Sequence, residues 1–239
     1  ILDTTGSMGG QIAGVRDSIL AFADSFSGKT ITWSGVEYGD ATFTDGPNRW
    51  DFFGSLGERT KFDPSTDVAA LKAWIATLKA SGGGDEAENP LKAMMDAKNT
   101  FTWPAGAARH FIVITDVGAH ERTDGRGDTS YGGPEIFCPY TGAEVLAAFR
   151  GWATVHCVSP DYSASWAPAA VRSNSNLGPQ VYTSDGWDMR EMADGGPPAQ
   201  RTHSGTGGKW TKMPSDGNVD LTKLGIAELI NSSYTIVYE

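Results

Sequence analysis

Apolar runs long enough to cross a membrane are missing from this 239-residue sequence: no stretch approaches the about eighteen uninterrupted apolar residues of a spanning helix. Cysteine is nearly missing as well. Cys138 and Cys157 are the only two, too few for a disulfide scaffold or a thiolate metal site, and they fit either one bridge or two buried thiols. Basic residues are outnumbered, 19 Lys and Arg against 29 Asp and Glu, for a formal net charge of -10. Phosphate binding needs clustered cations and these are scattered, so nucleic acid is not an expected partner. Four histidines, His110, His120, His156 and His203, show no metal-pair spacing. No Gly-x-Ser-x-Gly elbow and no phosphate-cradling GxxxxGK[ST] loop occurs, which removes two common hydrolase signatures.

Glycine is the excess. Thirty of them exceed the usual share of about 7% and predict long loops. Between those loops the apolar periodicity alternates. Ile12, Val15, Ile19, Phe22 and Phe26 recur at helical spacing up to Gly28. ITWSGVEYGDATF is β-branched and aromatic, and RWDFF follows a turn, which predicts two strands as a hairpin. Val68, Leu71, Ile75 and Leu78 predict a second helix that ends at Gly82, and Pro90 suits the first turn of a third. HFIVITD, residues 110–116, is almost continuously apolar until its final acid, as a parallel strand covered on both faces would be. Thr141 and Glu144 form a capping box ahead of a fourth helix, and WATVHCVS reads as another buried strand. Residues 161–209 read as an elaborated loop region, and a last strand at Lys209 to Met213 precedes a last helix through Leu221, Leu224, Ala227 and Ile230 and a β-like tail, SYTIVYE. Strands and helices alternating in this way predict an α/β fold: one doubly wound, mostly parallel sheet with helices on both faces and one antiparallel hairpin strand, a single domain over 1–239. In such sheets ligands sit at the carboxyl ends of strands. Asp3 and Asp116 both fall there.

The chain opens ILDTTGSMGG, in which Asp3, Thr5 and Ser7 place one carboxylate and two hydroxyls on alternate positions of a turn. Hard oxygen donors of this kind suit Mg²⁺ or Mn²⁺ rather than a soft metal. The plainer reading is that Thr5 and Ser7 cap the first helix. With the glycine-rich acidic loop GGGDEAENP and Asp116 after its apolar strand, the pattern resembles the von Willebrand factor A (integrin I-like) domain and its metal-ion-dependent adhesion site. The resemblance runs from the opening turn to GTGGKW and the final helix, and rests on three separated motifs in the family's order.

The resemblance implies a Rossmann-like domain in which Asp3, Thr5 and Ser7 form the first metal loop and Asp116 the third. The middle loop is closest to integrin β subunits, which puts Asp85 and Glu88 toward cations, with Glu88 favoured at the main metal and the division between them open. Both acids also fit the start of the helix carrying Leu91, where they would favour its dipole. Gly9 and Gly10 stand where the family's adjacent second site uses acids, so that site is expected to be missing. TDVGAHERTDGRGD also resembles the β-subunit stretch after the third loop. Its Arg126-Gly127-Asp128 spells a tripeptide that some integrins recognise, but three letters recur by chance and a solvated turn is the better reading.

The expected cofactor is Mg²⁺, with Mn²⁺ or Ca²⁺ as substitutes. The expected act is adhesion, not catalysis: hydroxyl ligands leave the cation incompletely neutralised, so a carboxylate on a protein or glycoprotein partner can complete its octahedron. An extracellular or cell-surface setting follows from that reading. The alternatives are an intracellular scaffold subunit of a chelatase- or ATPase-type assembly, with a cytoplasmic setting, and a Mg²⁺-dependent hydrolase. A Cys138–Cys157 bridge or a glycan at Asn231 would favour adhesion, and an adjoining ATPase module the scaffold. Finally, if Asp3 closes a central strand, Ile1 and Leu2 are only its last residues. The chain is therefore expected to be part of a longer polypeptide.

Overall fold

The computed structural model describes residues 1–39, 60–81, 88–122, 138–161, 173–174, 178–179, 187–198, 201 and 203–233. Its strands are β1 (Leu2–Asp3), β2 (Trp33–Tyr38), β3 (Lys61–Ser65), β4 (His110–Ile114), β5 (Thr154–Ser159), β6 (Ser173–Asn174), β7 (Gly178–Pro179) and β8 (Trp210–Lys212). Six of them form one sheet in the order β3-β2-β1-β4-β5-β8, while β6 and β7 pair separately. Every pairing in the large sheet is parallel except β2 with β3. The expected mixed, doubly wound sheet is thus present. The antiparallel partner of β2 is Lys61–Ser65, however; the RWDFF segment expected there lies outside the described residues, as does the SYTIVYE tail.

Strand alternation sorts the core into two layers. Val36, Tyr38, Phe111, Val113, Val155 and Cys157 face α3 (Pro90–Thr100), α4 (Gly142–Phe149) and α5 (Arg190–Asp194). On the opposite face Leu2, Ile114 and Val158 pack against α1 (Gly9–Asp24), α2 (Val68–Thr77) and α6 (Ile226–Ser232). The α4 capping box is formed, Thr141 accepting from the Glu144 amide and Glu144 from the Thr141 amide. Cys138 and Cys157 are both buried and both free, which decides between the two readings left open for them.

Two helix boundaries differ from expectation. α2 ends at Thr77, because Leu78 is extended and its side chain, 1% exposed, drops into the core beside α1. The last helix is split into a 3₁₀ turn at Leu221–Lys223 and α6, because Gly225 adopts a left-handed φ of +65°. Gly14 shows how closely the 3₁₀ segment's approach chain crosses α1: a Cβ there would lie 2.6 Å from the Val219 nitrogen. The region 161–209 contains α5 and the β6–β7 pair among its described residues.

β1 pairs with β2 at Leu2 and Asp3 and with β4 at Leu2. A cavity of about 840 Å³ is lined among others by Phe22, Trp33, Trp74 and His110.

Candidate metal centre

From β1 the chain runs to β2 and β3 on one side of the sheet, then crosses to β4, β5 and β8 on the other. Helical crossovers that leave β1 and β4 toward opposite edges create a crevice at their carboxyl ends, where loops diverge and a ligand can enter. Asp3 is the last residue of β1, fully buried. Its Oδ1 accepts from the Thr5 amide at 2.9 Å and the Thr5 hydroxyl at 2.8 Å. Its Oδ2 accepts from the Thr115 hydroxyl, just past the end of β4, at 3.0 Å.

Thr5 does not cap a helix. It precedes the 3₁₀ turn Gly6–Met8 without a side-chain capping bond, and Met8 likewise leaves the start of α1 uncapped. The hydroxyl donates to Asp3 instead. Ser7 lies in the 3₁₀ turn and is exposed.

Backbone bonds tie the surrounding loops together. The Ser81 amide donates to the Thr4 carbonyl at 2.9 Å, joining the entrance of the second loop to the first. At its exit the Glu88 amide donates to Gly118 at 3.1 Å, and Glu88 accepts from the His120 amide at 2.7 Å, joining it to the third. Ala119 and Trp187 exchange both amide bonds, at 2.8 and 2.7 Å, adding a fourth strand-like segment to this rim. Glu88 is 3% exposed and stands immediately before the Asn89 cap of α3, outside its first turn. Asp85 lies outside the described residues, as does the Arg126-Gly127-Asp128 tripeptide.

The electrostatics are those of buried acidic groups. Burial pushes the Asp3 carboxyl up to about 6; the Thr5 and Thr115 hydrogen bonds oppose this, while the Asp116 carboxylate adds to it. Asp116 Oδ1 is buried and has no hydrogen-bond partner among the described residues. Tyr38, fully buried, has its phenol held well above its usual range by burial first, then by Asp3, and further by Glu88. Among the described residues no group of three or more His, Cys, Asp or Glu side chains is drawn close enough to hold a metal ion by itself.

Hard oxygen donors, a buried Asp116 oxygen lacking a partner among the described residues and a buried Asp3 carboxyl raised further by Asp116 fit a divalent cation in their chemistry. Asp3, Thr5 and Asp116 are brought together, Glu88 is tied to the same rim by its backbone, and Ser7 stands outside at the solvent side. Sequence reasoning missed Thr115 and Tyr38. A signal for Thr115 was available: it is the one polar position between the apolar run of β4 and Asp116.

No protein-family model matches the chain, and no curated protein sequence does. Solved structures do share its fold. A conserved hypothetical protein BatB from Bacteroides thetaiotaomicron superposes with a TM-score of 0.50 at 14% identity, covering 97% of this chain and 95% of that one. A von Willebrand factor type A structure from Catenulispora acidiphila gives a TM-score of 0.50 at 15% identity, covering 96% of this chain and 40% of the other. At such identities the likeness is one of fold: a mostly parallel, Rossmann-like sheet with helices around it, as in the von Willebrand factor A structure.

Proposed function

We propose that this domain is a protein-binding module that engages an acidic group of its partner through a Mg²⁺-type cation held by Asp3, Thr5, Ser7, Asp116 and Glu88, with Asp85 in the same loop. The observation that carries the reading is the Asp116 Oδ1 atom, buried without a hydrogen-bond partner among the described residues beside the equally buried Asp3 carboxylate. Buried acids of like sign are costly unless a counter-charge joins them. Bound there, the cation would supply a Lewis-acidic position for an incoming carboxylate. The chain's own part is to fix the donors: Thr5 and Thr115 orient both oxygens of Asp3, and the backbone bonds among residues 4, 81, 88, 118 and 120 hold the loops at one separation.

Titration of the domain with Mg²⁺ or Mn²⁺, followed by calorimetry and thermal unfolding, tests the metal step. Saturation to 100 times Kd is expected to stabilise the domain by about 2.7 kcal/mol, and Asp3→Ala is expected to remove the response. Surface-immobilised domain is then expected to retain Asp- or Glu-bearing peptides in millimolar Mg²⁺ and release them in chelator. A wild-type domain that neither releases heat nor shifts its melting point with either cation would overturn the metal site; metal binding without carboxylate capture would overturn the partner.

A further inference from the structure

We infer that His110 and His156 form an acid-sensitive clasp that holds the C-terminal section of the chain, Lys209 to Ser233, against the sheet, and that one added proton opens it. The pair lies at the opposite end of β4 from the acidic crevice, on the face covered by α1 and α6. Strand register sets His110 opposite Thr154 and Ile112 opposite His156, so the two imidazoles are diagonal neighbours. His110 Nδ1 and His156 Nε2 are 3.1 Å apart, the ring centroids 5.4 Å apart and the ring planes only 11° from each other. Each ring nitrogen stands ~1.1 Å from its own centroid, so the N···N separation and two ring radii account for the whole centroid distance, which makes the hydrogen bond nearly straight. The rings meet edge to edge in one plane rather than face to face.

The outer nitrogens fix where the protons are. The Lys209 amide donates to His156 Nδ1 at 3.2 Å, so that nitrogen is bare and the His156 proton sits on Nε2. Nε2–H then donates to His110 Nδ1, which leaves the His110 proton on its own Nε2. That N–H faces the Ser233 hydroxyl at 3.1 Å, and Ser233 in turn donates to Ile230 at 2.7 Å. Both imidazoles are neutral in this chain. Each bare nitrogen is already aimed at an N–H, so a third proton sets two N–H groups head to head, either between the rings or against Lys209.

Both ends of the chain of bonds belong to one section. Lys209 leads into β8, which among the described strands pairs only with β5, and its carbonyl accepts from the Cys157 amide at 2.9 Å. Ser233 follows α6 directly. Among the described residues no acidic side chain bonds either imidazole. Lys209, next to His156, disfavours an added proton, and its ammonium and the Glu228 carboxylate of α6 sit within 2.6 and 3.9 Å of where a Gly225 Cβ would be. The Arg109 guanidinium is turned onto the Trp152 ring at 5.1 Å. Lys29, after α1, bonds Asn231 of α6, and the Ile1 nitrogen donates to the Ile112 carbonyl at 3.0 Å.

The direction of the pH effect follows. Burial lowers the His110 pKa, and burial, then His110 and Lys209, push His156 down to about 4. An unfolded histidine titrates near 6.5. The clasp therefore contributes its full stability above about pH 6.5 and loses it progressively as pH falls toward about 4.

Hydrogen exchange read by mass spectrometry, corrected for the intrinsic rate at each pH, tests the inference. Peptides covering 209–213 and 226–233 are expected to exchange at least about tenfold faster at about pH 4.5 than at about pH 7, with α3 unchanged, and the double variant H110N/H156Q is expected to lose that step. An unchanged wild-type rate, an equal acceleration throughout the domain, or a full acid step in the double variant would each overturn the clasp. Histidine side-chain ¹⁵N spectra of the wild-type protein provide a check that needs no variant: both rings are expected as neutral Nε2–H tautomers at pH 7, and an Nδ1–H signal from His156 would overturn the assignment.

Discussion

The two ends of the central strands handle buried titratable groups in opposite ways. At the carboxyl ends of β1 and β4, burial and the Asp116 carboxylate raise Asp3, which is held by Thr5, Thr115 and a rim of backbone bonds. At the amino end of β4, His110 joins His156 of the neighbouring strand in a neutral pair, and nearby cations lie on aromatic rings: Lys98 and Arg109 over Trp152, at 4.5 and 5.1 Å. One end concentrates charge of one sign and leaves an oxygen without a partner among the described residues; the other completes the hydrogen bonds of its histidine pair internally, with Phe111, Phe149, Trp103 and Trp152 packed together on the opposite face of the sheet. The difference teaches that a buried polar group can be designed for completion from outside or for closure within, and the number of donors and acceptors aimed at it tells which.

If that division is right, the two ends should fail differently. The largest effect is expected at the closed end, where Phe149→Ala removes a fully buried ring 5.0 Å from Phe111 and 5.3 Å from Trp152. Chemical denaturation should show a loss of about 3–5 kcal/mol, with cation affinity of the surviving folded protein unchanged; a matching fall in affinity would erase the distinction. At the open end Thr115→Val deletes the hydroxyl that orients Asp3 Oδ2 while keeping the shape. Calorimetry should find Mg²⁺ affinity reduced about tenfold or more, with stability in chelator changed far less than by Phe149→Ala. The smallest effect is expected of Thr141→Ala, which removes half the capping box of α4: about 1 kcal/mol in a denaturant titration, and no change in the response to Mg²⁺.

Much of the fold was legible because its signals are local. The apolar run at 110–114, the helical spacing of Ile12, Val15 and Ile19, and the Thr141–Glu144 box each report on their own segment, and each became the element expected. The ends of α2 and the break before α6 were not legible in the same way. Leu78 fits a helical repeat and is extended because a core position is available beside α1; Gly225 interrupts a helix whose apolar spacing continues on either side. At the site, Asp3, Thr5 and Asp116 could be read from motif order and position. Thr115 gains its meaning only when β4 lies beside β1, which brings residues 112 positions apart to 3.0 Å.

The opening turn and the acid after the fourth strand thus determined by themselves which chemistry the domain could offer: hard oxygen donors and negative charge at strand ends. Periodicity also determined the class of fold, since helices and strands alternate and a parallel sheet needs both faces covered. What only tertiary structure decided was partnership. Thr5 turned to Asp3 rather than to the helix start, the two cysteines stayed apart in the core, and His110 found His156. Each of these depends on which strands lie side by side and how far a side chain reaches across them, and sequence spacing fixes neither.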